Sequence, residues 1–279
     1  MVGSVNLDQS FTVGALPQPG ETVLASSLSA APGGKGGNQA VAAARTGATV
    51  QLVAALGDDA AAAHLRAHLL GNDVGLDGTV TVPGPSGAAA IVVDAGAENT
   101  IVVAPGANAH LSMATARARQ AVAAAEVVLM QLEIPLDVAI AAARVGREAG
   151  ATVVVNASPA GADPTGLAAL SDVVDVVVVN EVEADEWLWP VAHLVVTRGA
   201  AGATYRGDGV EFDVPAPPVE PVDTSGAGDV FAGVLAAEWH RGPEVAIRRA
   251  CAAGALATLT AGAGDCAPSA EAVDDVLAG

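Results

Sequence analysis

Short Val-rich runs alternate with longer Ala-rich stretches along most of the chain. Near-continuous apolar runs at 50–56, 126–132, 151–156, 174–179 and 193–197 have the length and β-branched content of strands buried on both faces. Between and after them, segments 36–46, 59–70, 112–124, 136–149, 227–240, 244–260 and 270–278 carry helical periodicity. Strands of this kind separated by helices predict an α/β fold with a mostly parallel sheet covered on both faces.

Two regions break the alternation. Residues 10–30 and 86–103 have strand character without intervening helices, and Ala-Ala-Ile-Val-Val-Asp followed by Gly-Ala-Glu-Asn-Thr-Ile-Val-Val reads as a hairpin. They predict a small β-sheet standing off the main body, able to cover a ligand site or to pair with a second subunit through its exposed edges. A further hairpin is expected at 203–214, with Gly-Asp-Gly at its turn.

Composition narrows the partners. The net charge of −19 excludes the basic footprint that nucleic acid or an anionic membrane requires. No apolar run reaches the roughly 18 residues of a bilayer span, and the first residues lack the basic and hydrophobic regions of a signal peptide. Cys251 and Cys266 offer neither metal spacing nor a disulfide framework, so a reduced, cytoplasmic protein is expected. His64 and His68, four apart on a predicted helix, have no third zinc ligand in view, and a solvated helix face is the better reading.

The chemistry concentrates in two glycine-rich segments. The chain's single lysine, Lys35, lies inside Pro-Gly-Gly-Lys-Gly-Gly-Asn at 32–38, where the backbone must bend or approach something closely. Segment 222–233 (Val-Asp-Thr-Ser-Gly-Ala-Gly-Asp-Val-Phe-Ala-Gly) leads from a strand-like stretch into a helix. There the amides of Gly226, Ala227 and Gly228 form a candidate anion nest beside Asp229. Thr224, Ser225 and Asp223 supply capping oxygens, which leaves Asp229 for chemistry or for the helix dipole. A carboxylate beside an anion nest is what phosphoryl transfer needs. Phe231 stands where a dinucleotide fingerprint needs glycine, and Gly36 stands where a Walker loop needs Ser or Thr. Asn6, Asp8, Glu133, Asn180 and Glu183 follow predicted strands, so in an open parallel sheet they would converge on one crevice.

Gly33-Gly-Lys-Gly-Gly-Asn-Gln-Ala40 and Asp223-Thr-Ser-Gly-Ala-Gly-Asp229 resemble the two signature segments of PfkB-type sugar kinases, along nearly the whole chain. The lysine followed by Asn-Gln-Ala is most similar to the ribokinase branch. The resemblance implies a three-layer α/β/α sandwich as one domain, 1–279, with a β lid from about 10–33 and 84–104, through which the branch often forms homodimers. It implies that Asn6, Asp8, Gly34, Lys35, Asn38 and Glu133 hold ribose, with the glycines letting the backbone close on the ring. Asp229 would be the base and 226–228 the anion hole. ATP would meet Asn180, Glu183, Thr197, Gly199, Gly202, Gly228 and Cys251, with Mg2+ near Glu183. A monovalent cation, K+, would lie among Asp223, Ser225, Ala257, Thr260, Gly262 and Cys266, although sulfur is a poor partner for a hard ion. Segment 181–192 is shorter than the family's usual element, close to the least a parallel crossover can use. The alternatives are a family kinase for another sugar or a nucleoside, and a non-catalytic sensor on the same fold.

Overall fold

The computed structural model describes every residue except Ala97, at the tip of the expected 86–103 hairpin, and Gly279. Its main sheet runs in the order Val210–Val214, Ala203–Gly207, His193–Thr197, Val176–Asn180, Thr152–Asn156, Val127–Gln131. The last four are parallel to one another, and the 203–214 hairpin adds two antiparallel strands. Asp208 and Gly209 both have positive φ, the conformation a two-residue hairpin turn requires. Beyond Val127–Gln131 the first residues continue the sheet. Val2 bridges Met130 on one side and Val53 on the other, and Val50–Gln51 and Ala55–Leu56 then pair with Val74–Gly75 and Val80–Thr81. Separate apolar cores lie on the two faces of this sheet. One is centred on Val234, Leu235 and Ile247, the other on Met130, Ala139 and Leu170, and together they make the three-layer arrangement.

A second, four-stranded sheet stands apart in the order Ser27–Gly33, Asn6–Thr12, Gly87–Val93, Asn99–Ala104. After Val5 the chain leaves the main sheet and enters this one directly. Asn6 and Asp8 therefore belong to the small sheet, and their spacing of two puts them on the same face of the strand.

The predicted helices are present with shifted ends. Expected segment 36–46 is Lys35–Arg45, and 227–240 is Ala227–Glu238 followed by a short 3-10 turn. Expected segment 112–124 contracts to Ala116–Ala123, because Thr115 caps it by accepting the Ala118 amide. Helix Pro164–Ser171 was not expected. Its Asp-Pro-Thr-Gly start reads as a turn, yet Asp163 caps it and Pro164 is well suited to a first helical position. The expected strand 50–56 divides into two short pieces, Val50–Gln51 and Ala55–Leu56.

The short 181–192 connection is accommodated by a one-turn helix, Glu181–Ala184, and by Trp187. Its indole packs edge-on against Trp189 at 5.7 Å and donates to the Trp189 carbonyl at 2.9 Å, filling the face of the sheet over the crossover. The adjacent strands Val176–Asn180 and His193–Thr197 keep full parallel register across it.

Candidate active site

The helix that carries the lysine begins at Lys35 itself, after Gly34 at φ 84°. A Cβ on Gly34 would lie 2.7 Å from the Asn6 nitrogen, and one on Gly36 would lie 2.6 Å from the Gly3 carbonyl carbon and the Ser4 nitrogen. These glycines let the lysine helix press its backbone onto segment 3–6, where the main sheet passes into the small one. On this side the contact of the two glycines is with the protein's own segment 3–6.

That contact fixes the lysine end. The Glu133 carboxylate accepts from the Ser4 hydroxyl at 2.6 Å and from the Lys35 amide at 3.2 Å. Asn108 donates to the Asn6 side chain at 2.7 Å. Burial alone would lower the Lys35 pKa, but the charges of Asp229, Glu133 and Glu183 outweigh it and hold the ammonium above its ordinary range. Asp8 moves the other way from a normal carboxylate. It is pushed up to about 7, first by burial and then by the negative charges of Glu133 and Asp229. Its buried Oδ1 has no hydrogen-bond partner among the described residues.

Asp229 lies in the first turn of the helix Ala227–Glu238 and is buried. Asn38 donates to its Oδ2 at 3.0 Å and Gln39 to its Oδ1 at 2.9 Å. Two expectations for this helix start are corrected. No side chain caps it, because Asp223 instead accepts the amides of Ser225 and Gly262, at 2.8 Å each. The Ala227 amide is directed to the Thr224 carbonyl at 3.3 Å and is not free for an anion. Gly226, at φ 78°, packs so closely on Ala263 that a Cβ would come within 2.8 Å.

Lys35 and Asp229 line one polar cavity of about 160 Å³, together with Asn156, Asn180, Glu183, Thr197, Gly226 and Gly228. Asn6 and Glu133 line a neighbouring cavity of about 390 Å³, whose other walls, including Val103, Pro105, Leu132, Ile134 and Pro135, are largely apolar. The remaining expected residues divide. Asn180 and Glu183 form a capping box in which a Glu183 oxygen accepts the Asn180 amide at 2.9 Å. Gly199 sits on an open turn, whereas Gly202 lies against the Val214–Ala216 backbone, where a side chain would collide. Cys251 does not line the cavity. Its thiol is buried in the core of its helix and directed at the Val214 carbonyl, a correction to its expected place beside the nucleotide.

Asp223, Ser225, Gly262 and Cys266 are brought together as expected, but the chemistry is not that of a cation cage. Burial pushes the Cys266 thiol up to about 11, and its single S–H lies 3.3 Å from the Ala263 carbonyl, the nearer acceptor, with the Ser225 carbonyl at 3.8 Å. The Ala257 carbonyl accepts the Thr260 amide. A neutral thiol, standing where a hard ion would need an oxygen, does not fit K+. Among the described residues no group of three His, Cys, Asp or Glu is placed to hold a metal ion, and His68 instead faces Asp265 at 3.8 Å.

Sequence reading missed Ser4, Gln39, Asn108, Gln131 and Asn156. Asn156 ends a Val-rich strand just as Asn180 does, so the same signal marked it. Gln39 stands inside the lysine motif, but nothing local shows that its side chain turns inward.

The arrangement has close counterparts. The model of the pfkB family of carbohydrate kinases matches residues 1–270. The chain belongs to that family. It is 34% identical to a ribokinase of Bacillus subtilis, over 99% of this chain and 98% of the relative. Among solved structures, the ribokinase of Thermotoga maritima superposes with a TM-score of 0.90 at 28% identity, covering 100% of this chain and 98% of that one. An Arabidopsis thaliana ribokinase complexed with ribose and ATP superposes with a TM-score of 0.89 at 28% identity, covering 99% and 97%. The pfkB family member described here therefore has the ribokinase-like fold, small sheet included.

Proposed function

We propose that this carbohydrate kinase transfers the γ-phosphoryl group of ATP to the 5-hydroxyl of D-ribose. The observation that carries the reading is the shared cavity, in which the lone ammonium and Asp229 face the same space. The named ribokinases, one of them holding ribose and ATP, support it.

In this reading Asn6, Asp8, Gly34, Lys35, Asn38 and Glu133 hold the pentose. The unpartnered Oδ1 of Asp8 is a ready acceptor for a sugar hydroxyl. Asp229 takes the proton of the 5-hydroxyl as that oxygen bonds to the γ-phosphorus and the bond to the ADP oxygen breaks. The uncapped amides at Gly226 and Gly228, at the positive end of a twelve-residue helix, stabilise charge on the moving group. Asn180, Glu183, Thr197 and Gly199 flank the nucleotide phosphates.

Mg2+ suits the donor set, because it favours one or two carboxylates with water and substrate phosphates over a closed protein cage. Glu183, a buried carboxylate lining the cavity, would hold the ion through water, and the ion when bound would neutralise phosphate charge. No step is assigned to K+. Leu28 and Val102 lie exposed on the face of the small sheet opposite to Asn6 and Asp8, and a second copy of the chain is the partner we assign to that face. Sedimentation of the purified protein tests it.

The apolar walls beside Asn6 and Glu133 favour a second reading, a bulkier acceptor such as a nucleoside. Values of kcat/KM for ribose, deoxyribose, fructose and adenosine decide between them. Ribose preferred by tenfold or more supports the first reading, and adenosine preferred overturns it.

A further inference from the structure

Gln39 is fully buried, and its side chain makes three hydrogen bonds, none of them to its own helix. Its two N–H donors reach Asp229 Oδ1 at 2.9 Å and Asn156 Oδ1 at 3.1 Å. Its oxygen accepts from Gln131 Nε2 at 2.6 Å. Asn156 is itself oriented, because its Nδ2 donates to the Val178 carbonyl at 3.2 Å and so turns Oδ1 toward Gln39.

An amide can present either end, and here the end is determined. With the amide reversed, its oxygen would face two acceptors, Asp229 Oδ1 and Asn156 Oδ1, while its NH2 would face the Gln131 donor. Buried polar groups left facing like groups are strongly disfavoured. Gln131, at the carboxyl end of the strand Val127–Gln131, therefore acts on Asp229 without touching it. The chain Gln131–Gln39–Asp229 joins the main sheet, the lysine helix and the aspartate helix behind the polar cavity.

We infer that Gln39 is a positioning residue for the reaction: it holds the Asp229 carboxylate in one rotamer from the buried side, with its own amide directed by Asn156 and anchored through its oxygen by Gln131. Asn38, on Oδ2, completes the hold from the cavity side. The inference rests on the proposed role of Asp229, and it assigns to Gln39 the first part of an arrangement in which misplacing a base slows chemistry more than binding.

The test is steady-state kinetics of Gln39→Met, which keeps the volume and removes both donors. The result expected is a fall in kcat of about 10- to 100-fold, with KM for sugar and ATP within threefold. Gln131→Met, which removes the donor that anchors the Gln39 oxygen, should lose about 3- to 10-fold in kcat with the same unchanged KM. It also carries the test alone should Gln39→Met fail to fold. A kcat unchanged in the folded variants, or a loss confined to KM, overturns the inference. Asp229→Asn measured beside them separates the two claims. Turnover retained in Asp229→Asn removes the base itself. Turnover abolished there but normal in Gln39→Met removes only the positioning role.

Discussion

Asp229 and Asp8 lie close enough for each to feel the other's charge, yet the protein treats them in opposite ways. Asp229 stands at the start of a buried helix, with an amide donor on each oxygen. Asp8 stands on a strand of the small sheet, with one buried oxygen unpartnered and a pKa pushed up to about 7. One carboxylate is completed by the protein and the other waits for a ligand. The difference follows from the two supports. The aspartate helix is packed against the lysine helix and the core, while the small sheet is built from two excursions of the chain and leaves its outer strand exposed.

The sharpest way to break this comparison is to neutralise each carboxylate in turn. Asp229→Asn should lower kcat by about 10²–10⁴-fold, the worth of a positioned base, with ATP still bound in calorimetry. Asp8→Asn should instead act on acceptor binding, raising KM for the sugar about tenfold, the effect of losing roughly 1.4 kcal/mol, with kcat within a few-fold. If Asp8→Asn abolishes kcat while Asp229→Asn does not, the two roles are reversed.

The glycines under the lysine give the next largest effect. Gly36→Ala forces a Cβ onto segment 3–4 and should destabilise the fold by about 1–3 kcal/mol. Gly37→Ala, whose Cβ would meet Val5 and Leu69 side chains at ordinary distances of 3.8–3.9 Å, should be neutral or slightly stabilising. Denaturant midpoints measure both, and equal losses would contradict a specific close approach at Gly36.

The Asp8 carboxyl makes a smaller, pH-dependent contribution. Its folded pKa, about 7, lies above the 3.8 of an ordinary aspartate, so the folded state holds the proton more tightly. The cost of ionising it is absent at low pH and complete above pH 7. Asp8→Asn should therefore raise the Tm more at pH 8 than at pH 5, and a larger gain at pH 5 would give the wrong sign. The smallest effect belongs to Cys266. Replacing KCl by choline chloride should change kcat less than about twofold, because a neutral thiol at Cys266 does not supply the oxygen a hard cation needs.

Much of the main sheet was legible because its strands are buried on both faces and read as unbroken Val-rich runs. The short helix Pro164–Ser171 was not, since its capping Asp and first-turn Pro are also turn residues. The crossover through Trp187 looked close to the shortest usable, because spacing counts residues and does not show that an indole can fill the place of a helix. Lys35 and Asp229 were found from composition and from a glycine-flanked helix start. Gln39 was not recognised, although it adjoins Asn38, because its partners Gln131 and Asp229 are 92 and 190 residues away in the chain.

Local pattern alone determined the α/β class, the two glycine-rich segments and the residues at strand ends, because periodicity and backbone freedom are properties of neighbouring residues. The tertiary structure decided which groups share a cavity, which carboxylate receives donors, and that the glycines around the lysine serve the approach of helix to strand. Those outcomes depend on burial and on hydrogen bonds between distant segments, and they come into being only when the chain has closed on itself.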